Sequence, residues 1–225
     1  MTMTQGAREE ILNRLKEATP DIPESRPVKV SQVDLPDDID GRIAVFTAEL
    51  ETKTGVVHRV GNNEEALAAL SDIVEAENIK SVLLSGDDII SALELEKWGV
   101  ANGITVMNAL EYNDKNEFRT AAFEQADAGI TGADFAFAES ATLAILHDRN
   151  KARLVSAAPP IHIAILPVDR LYRYYEDVVP QLYGKMEGLP SQMTFITGPS
   201  ATADIAATPT VGMHGPKKLF TIFIG

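Results

Sequence analysis

The chain has 225 residues, 45% of them hydrophobic and 24% charged, the balance of a globular protein long enough to bury a core without disulfide or metal staples. It contains no cysteine, which excludes thiolate nucleophiles, disulfide relays, cysteine-based zinc sites and cysteine-ligated iron-sulfur clusters on this chain. Its net charge of −13 sets up a field that repels nucleic acid and anionic membranes. The opening MTMTQGAREE has no basic region followed by an apolar core, and no apolar run reaches membrane-spanning length, so a soluble, cytoplasmic protein without a membrane span is expected.

Residues 5–19 place Ile11, Leu12 and Leu15 on one side of a short amphipathic helix that Pro20 should close. From 20 to 41 the chain carries four prolines among acidic residues, which predicts an extended, solvated arm. The organisation expected is therefore a helix and arm over 1–40 and a main domain over 41–225. In that domain, strand-length apolar runs alternate with helical patterns. A strand at 42–50 precedes a helix at 62–78, capped by Asn62 with Glu65 three positions on and carrying a stripe of Ala66, Leu67, Leu70, Ile73 and Val74. Strands at 81–85, 104–108 and 128–131 then alternate with helices near 87–97 and 115–127. Between 132 and 167 three strand-like pieces, FAFAESATLAIL, RLVSAA and IHIAIL, predict an antiparallel or mixed stretch of sheet. A long helix is expected at 168–187, kinked or interrupted by Pro180, with Leu171, Tyr174, Tyr175, Val178 and Leu182 at helical spacing. Strands at 193–197 and 219–225 close the chain, the last a continuous apolar run of the kind buried on both faces.

Three stretches could carry chemistry. In GADFAFAESATL, Glu139, Ser140 and Thr142 interrupt an apolar ribbon; a carboxylate there either faces a cleft, suited to proton transfer or nucleophilic attack, or sits in water on a bulged edge strand. In TGPSATADI, a strand runs into a Gly198-Pro199 turn followed by Ser200, Thr202 and Asp204, a loop able to hold an anion or simply to cap its own backbone. In VGMHGPKK, His214 lies close to Gly212 and Gly215 with Lys217 beyond, free to approach a ligand as acid, base or donor or to make a structural hydrogen bond. His58, His147 and His162 show no HxH or HExxH spacing, so no metal site is expected. The stretch HDRNKAR at 147–153 reads as a solvated basic hairpin tip.

Together, GPSATADIAATPTVGMHGPKKLFTIFIG and the upstream TGADFAFAESATLAIL with APPIHI resemble the two recurrent blocks of the lactate utilisation protein C family, the LUD-domain family. The resemblance covers the whole chain and is strongest over 130–225. It implies a three-layer α/β/α fold with a mixed, largely parallel sheet, like that of the glucosamine-phosphate isomerase, ribose-phosphate isomerase and CoA-transferase group. It also implies a part in bacterial L-lactate oxidation to pyruvate beside two iron-sulfur partner proteins, with the clusters on the partners, no cofactor on this chain, and a small carboxylate as ligand. A homo-oligomer is compatible with it. The implied pocket comprises Glu139 and His214 as catalytic groups, with Ser140, Thr142, Gly198, Ser200, Thr202, Asp204, Gly212, Gly215 and Lys217 around the ligand. Three positions depart from the family pattern: Ala141 stands where glycine is usual, Ala201 where a basic residue is usual, and Ala206 where an acid is usual. Lys217 and Lys218 could partly restore the missing positive charge. Two other readings stand beside this one: an enzyme of CoA-transferase type using Glu139, by fold analogy, and a binding or regulatory module without catalysis.

Overall fold

The computed structural model describes residues 5–17, 33–184, 190, 192–203, 209–212 and 214–225. The chain divides into two units, 1–33 and 34–225. In the first, α1 (Gln5–Glu17) is the expected helix, with Arg14 bonded to Glu10 one turn earlier at 2.8 Å. Most of the acidic arm, residues 18–32, lies outside the described residues.

The second unit opens with a correction. Residues 42–50 are not a strand but most of helix α2 (Ile39–Thr52), which starts where Asp38 accepts a hydrogen bond from the Gly41 amide and buries Ile43, Phe46 and Leu50. Those three recur at helical spacing and Asp38 caps the first turn, in an apolar run that either structure could use. The first strand comes later as β1 (Val56–Val60), half-exposed at a sheet edge. Helix α3 (Asn63–Ala76) keeps its predicted chemistry: Asn62 accepts from the Glu65 amide at 3.0 Å, while Glu65 accepts from the Gly61 amide at 2.7 Å. Next come β2 (Ser81–Leu84), α4 (Asp88–Ala92) and α5 (Leu95–Asn102). The single helix expected near 87–97 is split because Glu94 takes a left-handed conformation, φ 48°. Strand β3 (Thr105–Asn108), helix α6 (Lys115–Thr120) with a π-helical turn over 121–125, and β4 (Ala128–Gly132) follow as expected.

Strands β5 (Phe135–Phe137) and β6 (Thr142–His147) pair antiparallel across a 3₁₀ turn holding Glu139. The RLVSAA piece is not a strand: Leu154–Ala157 form the short helix α7, which leads into β7 (Ile161–Pro167). The long helix at 168–187 is also absent. Leu171–Tyr172 instead form β8, whose two residues pair with Ala136 and Phe137; among the described residues the α-helical part is Val179–Gly184, α8, preceded by 3₁₀ turns at Val168–Arg170 and Tyr175–Asp177. Pro180 falls in the first turn of α8, where its missing N–H costs nothing, so it starts a helix rather than kinking one. Strand β9 (Gln192–Ile196), the hairpin β10 (Ala201–Ala203) and β11 (Pro209–Val211), and β12 (Lys218–Ile224) complete the chain.

The main sheet has six parallel strands in the order β1-β12-β7-β4-β2-β3. One face packs Val82, Leu84, Ile130, Ile163, Ile165 and Ile222 against α3, α4 and α5 through residues such as Leu70, Ile90 and Trp98. The opposite face packs Ala164, Leu166, Leu219 and Phe223 against α2 and against the mixed sheet β8-β5-β6-β9. The fold is thus the three-layer α/β/α arrangement expected. Strand β12 is buried along nearly all its length because sheet neighbours and the layers on both faces enclose it, which suits a sequence apolar at every buried position but Thr221. No helix among the described residues is long and apolar enough to cross a membrane.

Candidate functional site

The two carboxyl-terminal loops meet. The Ser200 amide donates to the Pro216 carbonyl at 2.8 Å, and the Gly212 amide donates to the Ser200 carbonyl at 2.7 Å, so Ser200 is held between the ends of the VGMHGP segment. Gly212 takes φ 80°, and a Cβ there would lie 2.2 Å from the Lys217 side chain; only glycine lets the loop close. The Lys217 amide donates to the Pro160 carbonyl at 2.7 Å, which fastens this assembly to the residues entering β7. The site therefore lies where β7 and β12 begin, at the amino-terminal edge of the parallel sheet.

Two adjoining cavities open there. The outer, about 1050 Å³, is lined by Phe123, Arg153, Gln192, Gly212, His214 and Lys217 among others, and no carboxylate is among the described residues that line it. In a chain of net charge −13, a cavity whose described lining holds two cations and no acid is an electrostatic exception that favours an anion. The inner cavity, about 280 Å³, is lined by Ser156, His162, Thr197, Gly198, Ser200 and Leu219, and it shares Ala157, Thr194, Phe195, His214 and Gly215 with the outer one. A volume of this size suits a small metabolite.

The structure thus brings Gly198, Ser200, His214 and Gly215 together around the inner cavity and adds Gly212 and Lys217 at the outer one. Ser140 and Thr142, whose hydroxyls are 2.7 Å apart, line a third opening of about 390 Å³ that adjoins the inner cavity through Phe195 and Thr197. Glu139 is not among the lining residues of these three; it is exposed, and its carboxylate accepts a long contact, 3.4 Å, from the Tyr175 amide. Thr202 belongs to β10, and Asp204 and Ala206 lie outside the described residues. Ala141, at the position where the family usually has glycine, adopts φ 47°, the conformation for which glycine is suited. Lys218 is committed elsewhere, to Glu77 at 2.5 Å, so of the two lysines Lys217 alone lines the outer cavity.

Three groups escaped sequence reasoning. Arg153 is exposed, as expected of its stretch, and also supplies the second cation lining the outer cavity, which its sequence context did not indicate. In that stretch His147 is buried and bonded to Thr194, and Lys151 is paired with Asp134, while Asp148, Arg149 and Asn150 are exposed. Lys53 donates to the Ser140 carbonyl at 2.7 Å and tethers the Glu139 turn to α2. His162, on β7, is buried beneath the inner cavity, and burial pulls its pKa down to about 3, so the ring is neutral at physiological pH. No local spacing marks it. Among the described residues no three His, Asp or Glu side chains cluster in a way that could hold a metal ion.

A three-layer α/β domain with a cationic two-loop cleft at the amino-terminal edge of its parallel sheet is the class that fold and site define. The LUD domain model matches residues 43–224, and the chain belongs to this family. It is 32% identical over 164 residues to lactate utilization protein C 1 of Bacillus mycoides, an alignment covering 72% of this chain and 70% of the relative. It is 43% identical over 104 residues to lactate utilization protein C of Halalkalibacterium halodurans, covering 45% of each. The crystal structure of a DUF162 family protein from Deinococcus radiodurans superposes with a TM-score of 0.60 at 19% identity, covering 84% of this chain and all of that one, a likeness of fold.

Proposed function

We propose that this protein serves lactate utilisation, binding a small carboxylate in the cleft formed by the Gly198–Ser200 and Gly212–Lys217 loops, alongside two partner proteins that carry iron-sulfur clusters. The observation that carries the binding assignment is the outer cavity, where Arg153 and Lys217 meet no carboxylate among the described lining residues of an otherwise acidic molecule. The names of the relatives supply the lactate context. Oxidising lactate to pyruvate removes two electrons, and a chain without cysteine has no thiolate with which to ligate a cluster, which favours electron transfer through partners.

In this reading Arg153 and Lys217 attract the carboxylate, and the imidazole of His214, which both cavities share, stands beside it as a hydrogen-bonding group. The exposed position of Glu139 outside the cavities favours binding over an acyl-CoA mechanism in which Glu139 is the nucleophile. The test is dye-coupled L-lactate oxidation in extracts of a strain lacking this gene, complemented with wild type or with Arg153→Ala/Lys217→Ala. Loss of activity on deletion, restored by wild type and at most weakly by the double variant, is expected. Activity untouched by the deletion overturns the assignment.

A further inference from the structure

We infer that His162 is a ligand-binding residue of the inner cavity, reading a hydroxyl group and so selecting a small hydroxy acid over the corresponding simple acid. The inference deepens the carboxylate-pocket reading above and rests on it. Strand β7 lies inside the sheet between β12 and β4, and His162 pairs in register with Leu219 and Gly129. It is 1% exposed in the run IHIAIL, where an apolar side chain would be the ordinary occupant and a polar one is unfavourable unless every polar atom finds a partner. One nitrogen finds it: Nε2 lies 2.9 Å from the Thr131 hydroxyl on β4. The other, Nδ1, has no hydrogen-bond partner and is shielded from solvent, and His162 is among the residues lining the inner cavity. A second unpartnered atom lies close by in register, the hydroxyl of Thr221, opposite Ala164 two residues beyond His162 and hence on the same sheet face.

A buried ring nitrogen without a partner calls for an explanation, and a ligand group entering from the adjoining cavity to complete its hydrogen bonding is one. Because the ring is held neutral, it offers no charge to a carboxylate; its Nδ1 offers one donor or one acceptor according to whether Nε2 accepts from or donates to the Thr131 hydroxyl. A hydroxyl both donates and accepts, so it satisfies either tautomer. The cations Arg153 and Lys217 line only the outer cavity, which divides the labour: charge at the mouth for the carboxylate, neutral imidazole within for the hydroxyl.

The test uses the purified full-length protein with L-lactate and propionate, which differ in the hydroxyl. Calorimetric titration should give L-lactate an affinity about tenfold higher than propionate, the worth of one good hydrogen bond. In a sample with ¹⁵N-labelled histidine, the His162 Nδ1 resonance should shift with L-lactate and stay still with propionate. His162→Leu should bring both ligands to the propionate level; if it does not fold, the wild-type nitrogen shift still decides. Equal affinities with an unmoved resonance mean that the nitrogen faces water only, which overturns this inference and leaves the carboxylate pocket standing. Selectivity that survives His162→Leu also overturns it. Binding of neither acid overturns the pocket reading and this inference together.

Discussion

Lys151 places its ammonium 2.7 Å from the Asp134 carboxylate, in a part-buried pair. The same ammonium is 3.9 Å from Asp87, which is 8% exposed. Both acids are anchored by backbone amides, Asp134 by Leu146 and Asp87 by Gly132, so neither can swing out to water without losing a bond. Replacing Lys151 with Met should leave two fixed carboxylates without their cation and cost about 2 kcal/mol, a figure reduced for partial exposure. Urea unfolding measures it, and Lys151→Met/Asp134→Asn should recover part of the loss; a neutral single variant would contradict the pairing.

His162 predicts acid sensitivity. Its pKa is near 3 in the folded protein and near 6.5 when unfolded, so between these values the unfolded chain holds a proton that the native one does not. Stability is therefore full above about pH 6.5 and falls as pH drops toward 3, by about 1.4 kcal/mol per pH unit from this group. His58, also shifted down by burial, acts in the same direction. Denaturation midpoints at pH 7 and pH 5 should differ for wild type and differ less for His162→Leu.

Gly129 permits the contact between β4 and α7. A Cβ there would sit 1.7 Å from the Val155 carbonyl oxygen, a backbone atom with no freedom to move aside. Gly129→Ala should cost about 3 kcal/mol or more, or prevent folding, as read by thermal melting and soluble yield.

The α3 cap makes a clean contrast, since α3 packs on the sheet face opposite the candidate site. Asn62→Ala removes the acceptor for the Glu65 amide and should cost about 1 kcal/mol, while L-lactate affinity stays unchanged. A change in affinity would mean that α3 and the cleft are coupled.

What the sequence determined by itself is the part written in local pattern. The Asn62 cap and its buried stripe specify α3, the apolar runs of β2, β4, β7 and β12 specify strands enclosed on both faces, and the paired carboxyl-terminal blocks specify the family. Tertiary structure decided the rest, because burial and strand pairing depend on residues far away in the chain. Residues 42–50 could satisfy either a strand or a helix until Phe46 met Phe223 edge to face at 5.1 Å. Leu171–Tyr172 became a strand because β5 offered them unpaired backbone groups. The same holds for the site. Ser200 and Pro216 were legible as loop residues, but only folding joined them; Arg153 entered the cleft through α7 and its neighbours, and Glu139 was left outside. His162 looked like one polar residue in a core strand, and its chemical importance arises from what surrounds it: one hydroxyl at 2.9 Å, one nitrogen without a partner, and a cavity against the ring.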